Sequence, residues 1–284
     1  MSLLVIGCGY LGEQLAAQAV GLGLGIALTT RSAARREHLA ERFGPVATAI
    51  DFNDEHAAAR LADAAPLASH ALVLLTPSAC LDADGGTAPL ARLMRGLQAL
   101  PRLRRAVLSS STAVYGDRQG QVVTADDACS PANPREQRLA LIERDWLAAS
   151  GHRVVRLAGL YGPGRIVGAT GLQHGQAVDG SPDTWLNLIH VSDAARLLLR
   201  CLYADAARVE LGADGAPVLR GVYYRWLAAR LGVQAPVFSG APASRGGASR
   251  RCDPRPTIAR TAWRPMFRDF RAGITAAPGA VIRR

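Results

Sequence analysis

The sequence predicts a Rossmann-type α/β fold: a doubly wound parallel sheet with a small C-terminal α/β substrate lobe. Three observations predict it. Short apolar runs alternate with helix-length segments over about the first 200 residues, the pattern of βαβ units on a parallel sheet. A glycine-rich turn, Gly7-Cys8-Gly9-Tyr10-Leu11-Gly12, directly follows the first apolar run. Beyond Gly164 the alternation gives way to glycine-rich loops and shorter elements.

Taken in order, strands are expected at Ser2–Ile6, Gly25–Thr30, Val46–Ile50, Ala71–Leu75, Arg105–Ser109 and Arg153–Leu157. Between them, helices are expected near Glu13–Leu22, Arg35–Phe43, Glu55–Ala64, Ala88–Leu100 and Pro134–Ser150. The last of these has a defined start: Asn133 can cap it, Pro134 suits the first helical position, and Glu136 places a carboxylate in the first turn. A further strand at Leu186–Val191 precedes helices at Ser192–Tyr203 and Leu219–Leu231, and Pro236–Pro256 has loop composition. The expected division is a dinucleotide-binding domain over residues 1–165, to which 186–204 return, and a smaller lobe over 166–284. There is no internal repeat.

With 284 residues, 49% of them hydrophobic and 20% charged, the chain can bury a large core. No apolar run approaches the ~20 residues that cross a bilayer, so no membrane association is expected. The start Leu4-Val5-Ile6-Gly7-Cys8 has the look of a lipoprotein box. It lacks a basic segment, however, and its apolar run is too short. The 5 cysteines are scattered without metal-ligand spacing, so a reduced, cytoplasmic protein without disulfides or metal is expected. The formal charge of +10 is carried wholly by arginine, as the chain has no lysine. Arginine is densest after Arg245, but neither a nucleic-acid-binding motif nor an aromatic stacking series accompanies it. A small anionic substrate fits this charge better than nucleic acid does. A homodimer is compatible with the sequence, which does not fix the oligomeric state.

The glycine loop is the centre of the functional reading. The first glycine permits the tight turn, the second lets backbone approach a pyrophosphate, and the third allows helix and strand to pack closely. The phosphate charge then meets the amides and positive dipole of the helix that begins at Tyr10, Leu11 and Gly12. The second strand ends in Thr29-Thr30-Arg31 rather than in an acid. A guanidinium can fork onto a ribose 2′-phosphate where a carboxylate would repel it, so Arg31, Ser32 and Arg36, with Arg35 beside them, favour NADP(H) over NAD.

Several motifs in order resemble the extended short-chain dehydrogenase/reductase superfamily, the NAD(P)-dependent epimerase/dehydratase group. Besides Gly7–Gly12 they are Asp51-Phe52-Asn53-Asp54, Ser109-Ser110-Ser111-Thr112-Ala113-Val114-Tyr115-Gly116, Arg156 to Gly164, and Asn187-Leu188-Ile189-His190-Val191-Ser192-Asp193. The tail Trp263-Arg264-Pro265 with Phe270–Gly273 looks most like the atypical branch of small bacterial members. The resemblance implies that Asp51 and Phe52 lie along the adenine, and that Leu75, Thr76 and Pro77 pass the pyrophosphate and ribose. It places Ser109 and Ser110 beside the nicotinamide ribose, makes Ser111 the catalytic Ser/Thr, and sets Tyr161 and Pro163 at the border of nicotinamide and substrate. His190 would sit where its strand returns to the main sheet.

The chain departs from that pattern at the catalytic centre. The family's Tyr-x-x-x-Lys belongs on the helix starting at Pro134, which here reads from Pro134 to Trp146 without Tyr or Lys. In the family, the Tyr supplies the proton and the Lys lowers its pKa. Three alternatives stay open. Hydride transfer can use another proton donor, with Tyr115, four residues past Ser111, the first candidate and Arg135 or Arg138 in the lysine's place. The substrate can be one that needs little acid help. Or the protein binds NADPH without turnover, as a redox sensor.

Overall fold

The computed structural model describes residues 2–148, 151–203, 206–241 and 247–276. Strands β1 (Ser2–Ile6), β2 (Gly25–Thr30), β3 (Ala47–Ala49), β4 (His70–Val73) and β5 (Arg105–Ser111) alternate with helices α1 (Tyr10–Gly21), α2 (Ala33–Phe43), α3 (Ala57–Ala64), α4 (Pro77–Cys80) and α5 (Ala88–Gln98). A 3₁₀ turn over Thr112–Tyr115 follows, then β6 (Val122–Val123), α6 (Pro134–Ala148), β7 (Arg153–Leu157), β8 (Gly159–Tyr161), α7 (Ala169–Gln173), β9 (Trp185–Leu186) and β10 (Leu188–His190). The chain continues through α8 (Val191–Tyr203), β11 (Val209–Gly212), β12 (Val218–Leu219), α9 (Arg220–Leu231), β13 (Arg251–Cys252), α10 (Arg255–Thr261) and α11 (Phe270–Ala276).

The main sheet has seven strands in the order β11-β7-β5-β4-β1-β2-β3, and the pairings from β3 across to β5 are parallel. Strand order reverses between β1 and β4, the topological switch point at whose carboxyl edge such sheets bind ligands. β1, β2 and β7 coincide with their expected spans, because an unbroken apolar run buried on both faces is legible without periodicity. Helices α1 and α2 start earlier than expected: Gly9 is the N-cap of the first, and the Ser32 hydroxyl caps the second by accepting from the Arg35 amide at 3.2 Å. Asn133 caps α6 as expected, its Oδ1 accepting from the Glu136 amide at 3.0 Å, while Glu136 Oε2 returns a bond from the Ala132 amide.

Cα clustering divides the chain into two compact units. The first comprises 1–110, 137–155 and 195–210; the second comprises 111–136, 156–194 and 211–284. The expected boundary of 1–165 and 166–284 is therefore replaced by an interleaved one. Segment 111–136 and the stretch to residue 165 cluster with the second unit, and of the expected return 186–204 only residues from 195 onward join the first. The expected strand Leu186–Val191 is two short ones. Asn187 turns its side chain into bonds with Arg250 O (2.9 Å) and the Cys252 amide (2.7 Å) between β9 and β10. β10 pairs with β8 rather than with the main sheet, so His190 is not a strand-return residue of that sheet. The expected loop Pro236–Pro256 contains β13, paired in parallel with β6, and ends where α10 begins; residues 242–246 lie outside the described residues. The end of the expected helix Pro134–Ser150 and the arginines at 245, 283 and 284 lie outside them too.

Each unit has its own core. In the first, Leu4, Ile6, Leu61, Val73, Leu93 and Leu108 pack with Trp146, whose indole N–H donates to Arg153 O at 2.9 Å. In the second, Tyr161, Leu188, Tyr223, Leu227, Phe270 and Ile274 pack together. Each fully buried Leu or Ile in such a core contributes ~1.5–3 kcal/mol. No helix of the described residues is long and apolar enough to cross a membrane, and no group of three or more metal-type side chains converges among them. The five cysteines are all free thiols.

Candidate functional site

The first unit holds a built cradle at the end of β1. Gly7 has φ +83°, and a Cβ there would stand 2.8 Å from Leu75 Cδ2 and 3.2 Å from Leu74 backbone. Only glycine fits this turn. The Gly7 and Cys8 amides are pinned to Thr29 O at 3.2 and 2.7 Å, fixing the loop on β2. Gly9 is different: a Cβ there would meet nothing within 4 Å, so the backbone faces open space. The first rung of α1 is the Glu13 amide on Gly9 O at 2.9 Å, and no side chain caps this end. The Leu11 and Gly12 amides, ahead of that rung, are therefore directed out of the helix, where a diphosphate would accept from them. Cys8, within the loop, is a poor nucleophile, because burial and the Glu13 charge push its thiol up to about 12.

At the end of β2, Arg31 and Ser32 are exposed, and Arg31 forms no ion pair among the described residues. Arg36 is exposed as well, with only Glu37 at 3.6 Å. Arg35 is committed elsewhere. It pairs with Glu13 and donates from Nε to Cys8 O at 3.3 Å. Arg42 pairs with the same carboxylate and His38 lies 3.4 Å from it. Burial alone would raise the Glu13 pKa. Arg35 first, then His38 and Arg42, outweigh it and hold this carboxyl below its ordinary range. Sequence reasoning missed this hub, although Arg35, His38 and Arg42 recur at helical spacing on one face of α2.

The remaining first-unit residues divide by exposure. Asp51 is half-buried and its Oδ1 accepts from the Asn53 backbone and side-chain amides, both at 3.0 Å. Phe52, only 3% exposed, belongs to the core, so its ring offers no face to a base. Leu75 and Pro77 are half-buried; Thr76 is exposed and hydrogen-bonded to Ser78. Ser109 and Ser110 lie within β5, which runs two residues further than expected. Ser110 Oγ is buried and bonded to no protein group, an orphaned hydroxyl of the kind a ribose would satisfy.

In the second unit, Ser111 ends β5 and its Oγ accepts from the Ala113 amide at 3.2 Å, capping the 3₁₀ turn. Tyr115 is wholly enclosed, with the Arg156 guanidinium 4.8 Å above its ring, so as a proton donor it has no surface to present. Tyr161 is likewise wholly buried, its hydroxyl donating to Asp269 O at 3.1 Å. Burial, and then the Asp214, Asp193 and Asp269 carboxylates, push its pKa up. Its place is thus in the core and not at a ligand border; Pro163 beside it is exposed. His190 is packed between Tyr161 at 5.3 Å and Phe267 at 4.1 Å, with Nδ1 accepting from the Ser192 amide, and burial lowers its pKa. It is a neutral packing histidine.

No family model matches the chain. Protein YeeZ of Escherichia coli (strain K12) is 33% identical over 144 residues, 48% of this chain and 50% of that protein. The chain thus spans about half the length of the curated relatives it matches. Similarity to solved structures extends over nearly all of it. A functionally unknown conserved protein from Silicibacter pomeroyi DSS superposes with TM-score 0.80 at 24% identity, covering 97% of each chain. A putative NAD-dependent epimerase/dehydratase from Methylobacillus flagellatus superposes with TM-score 0.77 at 21% identity, covering 97% of this chain and 96% of that one. Thermus thermophilus UDP-glucose 4-epimerase, solved in complex with NAD, does so with TM-score 0.76 to 0.77 among its peers and covers 96% of both chains at 20% identity. The seven-stranded sheet, its strand order and these superpositions together give the chain the Rossmann-like fold of the NAD-binding epimerases and dehydratases.

Proposed function

We propose that the protein binds NADP(H) on the Gly7–Gly12 loop and is an oxidoreductase or epimerase-like enzyme acting on a small anionic substrate without the usual Tyr/Lys pair. The observation that carries this reading is the loop itself: a strained glycine turn at the sheet's switch point, open over Gly9 and followed by uncapped helix amides. The Leu11 and Gly12 amides take the pyrophosphate. Arg31, exposed and without an ion pair among the described residues, takes the 2′-phosphate with Ser32 and Arg36 beside it. Ser110 Oγ holds the nicotinamide ribose. When bound, the nicotinamide supplies hydride chemistry. Ser111, the next residue of β5, orients the reacting oxygen, and water delivers the proton, since the Tyr115 hydroxyl is enclosed.

A second reading has its own support. With no lysine in the chain and both Tyr115 and Tyr161 fully buried, no acid–base pair of the usual kind is available, which favours an NADPH-binding sensor without turnover.

Calorimetric titration with NADPH, NADP, NADH and NAD tests the cofactor reading. Preference for the phosphorylated pair by tenfold or more, abolished by Arg31→Asp, is the expected result. Equal affinity for all four, or none, overturns it. If binding holds, turnover with a panel of small anionic carbonyl and sugar substrates separates enzyme from sensor.

A further inference from the structure

The second unit contains a cavity of about 540 Å³ that has no part in the cofactor reading. Trp185, Asp214, Pro217, Arg251, Pro254 and Arg255 line it. Its walls are built. β13 lies on β6 with Arg251 opposite Val122, β9 lies on β12 with Trp185 opposite Leu219, and Asn187 ties β13 to the β9–β10 junction. Such a volume is of the size that holds a small organic ligand.

The polar groups are few and distinct. Arg251 lies over the Trp185 ring at 5.5 Å and donates from Nε to Gly120 O at 2.7 Å, while its two terminal nitrogens meet no acceptor among the described residues. Arg255 is neutralised by Asp253, to which it donates from Nε and Nη2. Asp214 is 7% exposed; Oδ1 accepts from the Ala216 amide at 2.9 Å, and Oδ2 is buried with no hydrogen-bond partner at all. Burial, and after it the Asp269 and Asp193 charges, raise the Asp214 pKa to about 8, so the group is a neutral acid at pH 7. The cavity therefore presents one unneutralised cation, one proton-bearing carboxyl that can donate or accept, and apolar walls from Pro217 and Pro254.

We propose that this cavity binds a small hydroxylated carboxylate with an apolar body, its carboxylate on the free fork of Arg251 and its hydroxyl on Asp214 Oδ2. An unpartnered carboxyl buried in a cavity wall is costly by itself, and a ligand hydroxyl removes that cost. The guanidinium selects the anion. The inference stands on the second unit alone and does not depend on NADP(H) binding.

The probes are 4-(hydroxymethyl)benzoate, its isostere 4-methylbenzoate, which lacks the hydroxyl, and inorganic phosphate, each titrated calorimetrically into the full chain. Saturable binding of the hydroxylated probe is expected, several-fold tighter than of the isostere and about tenfold weaker in Arg251→Gln, an exposed position whose replacement leaves the melting temperature in place. Affinity should fall as pH rises from 7 to 9, because Asp214 then ionises facing the ligand. Asp214→Asn, which can keep the bond to Ala216, should bind with that pH dependence removed. The proposal is overturned if neither benzoate saturates at millimolar concentration, if Arg251→Gln binds unchanged, or if phosphate competes as well as the organic anion does.

Discussion

Arg35 on α2 reaches back to the Glu13 carboxylate on α1 and, through Nε, to the carbonyl of Cys8 in the glycine loop. One side chain thus braces both the helix that would face the pyrophosphate and the turn that precedes it. Glu13, 14% exposed at the side chain, is the acid on which Arg35, Arg42 and His38 converge. Glu13→Gln should lower stability at pH 7 by about 1–2 kcal/mol, as expected when a half-buried charged network loses its anion. The folded-state pKa is held low, so the contribution is present above the unfolded value of 4.5 and fades as pH falls through the folded one. Urea unfolding of both proteins at pH 7 and again near pH 3 measures this; a difference that does not shrink in acid contradicts it.

Gly7 and Gly9 should respond differently to the same substitution. Gly7→Ala forces a Cβ against Leu75 at a positive φ and should cost about 1–3 kcal/mol of stability. Gly9→Ala meets no protein atom within 4 Å, so the melting temperature should hold while NADPH affinity falls. Thermal melts of the free protein, paired with calorimetry, separate the two effects. A Gly9→Ala variant with wild-type affinity would show that nothing approaches the loop there.

Tyr161 and Gly273 form a close packing pair. A Cβ at Gly273 would lie 2.3 Å from the Tyr161 hydroxyl oxygen. Gly273→Ala should destabilise by about 2–3 kcal/mol through overpacking, while Tyr161→Phe should cost only about 1 kcal/mol for the lost bond to Asp269 O. Cofactor affinity should be unaffected in Tyr161→Phe. A large loss of affinity there would return Tyr161 to a ligand site.

Asp214 makes a signed prediction about pH. Its folded pKa, about 8, stands above the model value of 3.8. Between those values the folded state binds the proton and the unfolded state does not, so stability falls as pH rises across this window and levels off above 8. Asp214→Asn should remove that slope and raise stability by a few kcal/mol at pH 8 relative to pH 4. Parallel slopes for the two proteins would mean that the carboxyl ionises freely.

The sheet was legible because β1, β2 and β7 are apolar runs whose ends are marked by Gly, Arg or Ala, and the glycine loop because its spacing follows a strand. The positions of Phe52, Tyr161 and His190 were not. Tyr161 reads as a site residue from its neighbours in sequence, yet Asp269 and Gly273, more than a hundred residues on, enclose it. Asn187 hides in the same way: a polar residue inside an apparent strand breaks that strand in order to bond β13. Such long-range side-chain bonds leave no periodicity behind. Glu13 was within reach of the sequence, since Arg35, His38 and Arg42 share a helix face, but the acid they meet sits on another helix.

The interleaving of the two units bears on how the chain is made. The first 110 residues carry five of the seven strands of the main sheet, in the order β5-β4-β1-β2-β3, but β5 meets its outer neighbour only when β7 arrives, and β7 meets β11 later still. On the ribosome the nascent sheet would wait with β5 as an open edge while about forty residues are synthesised, the condition in which unpaired backbone invites pairing with other chains. Neither unit could be released by one cut, because the chain passes between them five times. The protein should thus depend on chaperones during synthesis more than its final burial suggests, and it should resist dissection into separately expressed halves.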